Sequence, residues 1–214
     1  MLLGMTYLRY AGLDQKTQEN ALKEIIEADP ILMELLTGLR DLDFPDWWLV
    51  SGAIYNNVWN HLTQRTSMGG VKDFDVFYFD DADLSYEAED KVIKRAETAL
   101  ANLPLPVEVR NQARVHLWAP KKFGHNFAPL TSSLDMLDKF ASKTHAVAAK
   151  LNGQGRLEIV APFGLDDIFS FSIVPNYALA NRKAHETKGK RALEYWPELT
   201  VLPWVDDFNS GEKT

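Results

Sequence analysis

Apolar residues recur at helical spacing over residues 14–40: Leu22, Ile25 and Ile26 share one face, and Leu32, Leu35, Leu36 and Leu39 share another. Pro30 stands where a second helix can begin, since a proline at the first helical position sacrifices no hydrogen bond. The period then changes. Trp47-Trp48-Leu49-Val50 predicts a short buried strand ended by Ser51-Gly52, after which Ile54, Val58 and Leu62 return to helical spacing. Gly69-Gly70 marks a turn. Asp73 to Phe79 predicts a second strand. Residues 86–102 predict a helix, with Val92, Ile93, Ala96 and Leu100 on one face and Ser85 as N-cap. Beyond Pro104 and Pro106, Val107-Glu108-Val109-Arg110 reads as a strand. A further helix is expected from Ser132 or Ser133, its buried stripe running from Leu134 and Leu137 through Phe140 and Val147 to Leu151. Leu157-Glu158-Ile159-Val160 alternates as a strand, residues 166–171 make a short helical turn, and a basic helix follows Asn176 until Trp196-Pro197 stops it.

This order, helices first and then strands interleaved with helices, predicts an α+β (mixed α/β) fold with a small mixed sheet. A chain of 214 residues is expected to form a single domain over 1–214: N-terminal helices at 1–45, an α/β core at 46–175, and a basic helix with tail at 176–214. The absence of cysteine excludes disulfides, thiolate metal sites and thiol nucleophiles. No apolar run approaches the roughly 20 residues that span a bilayer, and no basic region precedes the apolar start, so a cytoplasmic protein without a membrane partner is expected. The net charge of −7 argues against a broad nucleic-acid surface. The best basic run, Arg182-Lys183 through Lys188, Lys190 and Arg191, is explained equally well as a phosphate contact or a solvated helix face.

Candidate chemistry centres on Lys72-Asp73-Phe74-Asp75-Val76. Strand side chains alternate, so Asp73 and Asp75 project from one face, roughly 7 Å apart along the chain. Two acids held side by side suit a hard divalent ion with oxygen ligands. Solvated acids at a strand end are the alternative. Glu108 alternates with Val107 and Val109 and so lies on the face opposite to them, with Arg110 beside it.

A strand ending in Ser51-Gly52 and opening a helix, a D-x-D strand, and a later strand carrying Glu108 together resemble the nucleotidyltransferase superfamily typified by DNA polymerase β. More closely, the chain is similar to a bacterial nucleotidyltransferase-like family of unknown substrate. That likeness rests on Ser51-Gly52-Ala53-Ile54 with Val58-Trp59, on Lys72 to Val76, on Val107 to Trp118, on Ala161 to Asp167 and on Trp196-Pro197, covering about residues 45–200. The resemblance implies a palm-like sheet and a metal-dependent enzyme. It would move a nucleoside monophosphate from an NTP to a hydroxyl of an unknown acceptor (a small molecule, protein or RNA end) and release pyrophosphate.

It further implies Asp73, Asp75 and Glu108 as catalytic ligands of Mg2+ or Mn2+, acting by a two-metal mechanism. Ser51, Gly52, Arg110, Lys188 and Lys190 would contact the nucleotide, helped by the positive end of the helix after Gly52. The chain departs from the wider pattern in two places. Ser51 precedes Gly52 where Gly-Ser or Gly-Gly is usual, and the interval from Gly52 to Asp73 is longer, with residues 63–70 absorbing the excess. Asp166 and Asp167 are second-choice ligands, and Asn111, Gln112 and His116 are as well explained by structure as by substrate. His61, His125, His145 and His185 show no metal-ligand spacing. A nucleotide-binding or regulatory module without turnover is the alternative to an enzyme.

Overall fold

A computed structural model describes residues 6–123 and 128–206. Two helices in mutual contact lead the fold, α1 (Gln15–Glu27) and α2 (Pro30–Leu42). Asp14 and Asp29 cap them by accepting backbone N–H groups that a helix start leaves without partners. The stripe of Leu32, Leu35, Leu36 and Leu39 is fully buried. Strand β1 (Trp48–Val50) leads through Ser51 into α3 (Gly52–Leu62). Next come β2 (Phe74–Tyr78), α4 (Tyr86–Ala99), β3 (Val107–Asn111) and α5 (Val115–Phe123). The remaining elements are β4 (Ala148–Leu151), β5 (Leu157–Val160), α6 (Asp166–Phe169), β6 (Ser172–Ile173), α7 (Arg182–Tyr195) and β7 (Thr200–Val201).

Five strands form one sheet in the order β3-β2-β1-β4-β5, parallel only between β2 and β3. Its two faces have different fates. Leu49, Phe74, Val76, Tyr78, Val107 and Val109 point into the main core under the helices. Trp48, Val50, Phe77 and Ala148 point the other way, where Leu134, Leu137 and Phe140 cover only part of the surface. Alternation along β2 and β3 therefore places Asp75, Glu108 and Arg110 on the partly open face. No helix among the described residues is long and apolar enough to cross a membrane.

The expected single helix over residues 132–151 is not formed. Short 3-10 turns at Leu134–Lys139 and Lys143–His145 precede strand β4. Val147, Ala149 and Leu151 enter the main core, whereas Ala146 and Ala148 join the small cluster on the other face. That is a period of two. With both faces apolar, the run has no polar side to reveal its period, and pairing with β1 (Leu49↔Ala149, Val50↔Ala148) decides the outcome. Helix α5 and the small β6–β7 pair were likewise not anticipated.

Candidate active site

The β2–β3 register sets Asp75 directly opposite Glu108. Both strands run the same way, so both carboxylates leave the same face at the same end of the sheet. Asp73 adjoins them at the entrance to β2. Burial raises the Asp75 pKa to about 6, with further upward pushes from Asp73 and Glu108 and downward pulls from Lys188 and Arg110. Three acids and the cations Lys188 and Arg110 thus share this part of the sheet face.

Strand β1 is antiparallel to β2 (Trp48↔Phe77, Leu49↔Val76), which delivers Ser51 and Gly52 to the end of the sheet that carries the acids. Ser51 is buried at φ 61, ψ −118, a backbone region that side chains rarely occupy. Its N–H is held by Val147 O at 2.8 Å, and its carbonyl accepts from the N–H groups of Ile54 and Tyr55. The Ser51 side chain stands within hydrogen-bonding reach of the Tyr55 phenol rather than capping the helix. No side chain caps α3, unlike α1, α2 and α4, so its first N–H groups remain free for an anion. Burial pushes the Tyr55 phenol up to about 12, and Arg191, Asp75 and Asp73 all lie within its electrostatic reach. Sequence reading missed Tyr55; its place one turn after Gly52 on the same helix was the available signal.

Helix α7 brings the cations. Its seat is a close contact with the Gly69-Gly70 turn. A Cβ at Gly69 would meet the Tyr195 hydroxyl at 2.0 Å, and one at Gly70 would meet the Trp196 ring at 2.6 Å. Trp196 Nε1 donates to Asn60 Oδ1 at 2.9 Å, and Arg65 pairs with Glu198 at 2.9 Å. The long interval between Gly52 and Asp73 thus carries the surface on which α7 ends. A polar hollow of about 230 Å³ lies there, lined by Tyr55, Asn56, Gly70, Lys72, Lys188 and Arg191 among others. Lys188 remains accessible to solvent, as a ligand contact requires. Lost hydration nevertheless lowers its pKa, Asp75 pulls it back up, and Arg191 lowers it further.

The other expected residues are distributed as follows. Lys190 is exposed and lines neither this hollow nor the neighbouring one described below. Arg182 pairs with Glu186 and Asp206 at the outer end of α7. Arg110 contacts Glu108 at 3.3 Å, with both side chains nearly half exposed. Among the described residues no three acidic or histidine side chains converge closely enough to cage one ion. Magnesium ordinarily takes one or two protein carboxylates and completes its shell with substrate phosphates and water, a requirement that Asp73 and Asp75 fit.

Asn111 is structural. Its amide exchanges hydrogen bonds with the Asp80 backbone, and its N–H donates to buried Glu89, which pairs with Arg114. Asp166 accepts from Gly12 N and Gln18 Nε2, tying α6 to α1. His185 is buried between Ser142 Oγ and Leu202 O, each at 2.8 Å; the carbonyl requires Nε2 to carry the proton. His145 stacks on Tyr55, and burial holds its pKa well below the usual histidine range. His61 lines a small hollow beside Asp29, and His125 lies outside the described residues.

Comparisons with known proteins agree with this architecture. A solved structure, entitled as an NMR structure that reveals a CCA-adding enzyme head domain, superposes with a TM-score of 0.73 at 27% identity, over 86% of this chain and 96% of that one. No curated protein matches. A family model described as nucleotidyltransferase matches residues 37–201, which include β1, the acid-bearing strands β2 and β3, and all of α7. The chain therefore belongs to the nucleotidyltransferase family.

Proposed function

We propose that this protein transfers a nucleoside monophosphate from an NTP to a hydroxyl group, with Asp73, Asp75 and Glu108 as its acidic centre. The observation that carries this reading is the pairing of Asp75 with Glu108 beside an uncapped helix start and beneath Lys188. The free N–H groups at the start of α3 take one end of the triphosphate, and Lys72, Lys188 and Arg191, which line the polar hollow together with Glu194, take the rest. Asp73 and Asp75 are the residues to hold divalent metal, and Glu108 completes the set once it leaves Arg110. The metal, when bound, neutralises the carboxylates and the charge that builds on the attacking and leaving oxygens.

The acceptor oxygen forms a bond to the α-phosphorus as the bond from that phosphorus to the β-phosphate oxygen breaks. The electron pair departs with pyrophosphate. The hydroxyl proton passes to Glu108, whose exposure gives it a path to water. Tyr55, neutral at all physiological pH, stands beside Ser51 within electrostatic reach of Asp73, Asp75 and Arg191.

Calorimetry with a non-hydrolysable NTP analogue tests the reading. Binding should require Mg2+ or Mn2+ and be lost in Asp75→Asn; metal-independent binding, or none, would refute it. Pyrophosphate release across an acceptor panel then separates the enzyme from the regulatory module. The Glu108–Arg110 pair is the observation that favours the module, since it engages the third acid.

A further inference from the structure

A second hollow, of about 250 Å³, opens on the same sheet face and shares Lys188 with the polar one. Its walls are unlike those of its neighbour: Phe77, Val115, Trp118, Met136, Phe140 and Leu179 are apolar, and three of the six are aromatic. The charged residues that line it are Arg110, Lys139 and Lys188, all cationic. Phe77 follows Asp75 on the same face of β2, and Arg110 contacts Glu108, so the hollow borders the acids from the β3 side. Gln112, only 2% exposed, also lines it. The Gln112 amide donates to Arg110 O at 3.3 Å, but its Oε1 has no hydrogen-bond partner. A buried acceptor without a donor is destabilising, and a ligand donor would remove that cost.

We infer that this hollow is the acceptor subsite and that it takes a small hydroxyl-bearing anion with a planar aromatic body and a hydrogen-bond donor. The inference rests on the functional reading above. In-line displacement requires the attacking oxygen and the departing pyrophosphate on opposite sides of the phosphorus. With the phosphates in the polar hollow, the attacking oxygen must arrive from the side of Glu108 and Arg110. Aromatic and apolar walls take the ring, the cationic rim takes the negative group, and Gln112 Oε1 takes the donor. The volume lies below the roughly 300–1,000 Å³ of pockets for drug-sized ligands, which suits a ring system rather than a long chain. The chain's net charge of −7 also disfavours a polymer of phosphates.

The test uses the full chain, saturated with Mg2+ and a non-hydrolysable NTP analogue. The probes are AMP and 4-hydroxyphenylacetate, with a short oligoribonucleotide as the competing ligand, observed by saturation-transfer NMR and titrated by calorimetry. At least one probe should bind alongside the analogue. Ala184→Phe, a change at an exposed α7 position that fills the hollow, should weaken that probe by at least about tenfold and leave analogue binding unchanged. Gln112→Leu should weaken the amine-bearing AMP more than the other probe. Three results would overturn the proposal: the analogue excludes both probes, making this the base pocket of the donor; Ala184→Phe has no effect; or only a short oligoribonucleotide binds. If the analogue itself fails to bind, the donor reading falls separately, while probe binding that Ala184→Phe abolishes still assigns the hollow to an aromatic anion.

Discussion

Asp75 and Glu108 are direct partners across the parallel β2–β3 ladder, although 33 positions separate them in the chain. The pairing puts two carboxylates on one open face, and Asp73 adds a third acid at the strand entrance. Burial of Asp75, and secondarily the like charges of Asp73 and Glu108, raise the energy of the folded, ionised state. A fold that keeps such an arrangement sacrifices stability at the point where a bound cation can restore it.

That sacrifice should be visible as a pH dependence. The Asp75 pKa is about 6 in the folded chain against an ordinary 3.8. Below the ordinary value both folded and unfolded chains hold the proton, and no penalty exists. As pH rises towards about 6, the unfolded chain ionises first and stability falls; above that the full penalty stands. Its size is about 2 kcal/mol after allowance for solvent screening. Thermal unfolding followed from pH 4 upwards should show this decline. Asp75→Asn should remove it and raise the Tm at neutral pH, while added Mg2+ should stabilise only the parent chain.

Glu108→Gln should separate catalysis from stability. The Glu108–Arg110 pair is nearly half exposed, so its loss should change stability by less than about 1 kcal/mol. Turnover should fall about a hundredfold or more if Glu108 handles the acceptor proton. NTP-analogue affinity should hardly move. A large loss of analogue affinity in calorimetry would instead place Glu108 on the donor side.

Lys188→Ala removes the cation that pulls the Asp75 pKa down. The stability decline attributed to Asp75 should therefore move to higher pH. Affinity for the NTP analogue should drop about tenfold, with a weaker dependence on salt. Lys190→Ala, which alters a side chain outside both hollows, should leave both properties unchanged.

Gly70→Ala should destabilise the protein by about 2–3 kcal/mol. Gly70 has φ +75, and an added Cβ would lie 2.6 Å from the Trp196 ring. Because that contact seats α7, analogue binding should weaken together with the Tm. Unchanged binding in a destabilised variant would show that α7 keeps its place by other contacts.

Ser51→Gly should relieve a backbone strain of about 1–3 kcal/mol and lose the link to Tyr55, so stability should change little. Ser51→Ala keeps the strain and loses the same link, and should be the less stable of the two. Chemical denaturation of both variants measures the difference.

Several features of this molecule were decided locally. The leucine stripe of α2, the Asp and Ser caps and the alternation in β2 and β3 each follow from side-chain period and backbone chemistry within a few residues. Such patterns place Asp75 and Glu108 on definite strand faces, with Asp73 at the entrance to β2, and they make a small mixed sheet flanked by helices the natural assembly. The run from Ser132 to Leu151 marks the limit, because residues buried on both faces of a sheet carry no polar side by which to read their period. Long-range assembly settled everything else. Which strands would be neighbours, and hence that Asp75 would face Glu108, depends on main-chain pairing that any extended segment can offer. Tyr55 and Arg191 reach the cleft because α3 and α7 pack where they do, seated by the contact of Gly70 with Trp196, and Gln112 reaches it from the turn that follows β3. Local chemistry chose the acids, and the packing of distant segments chose their company.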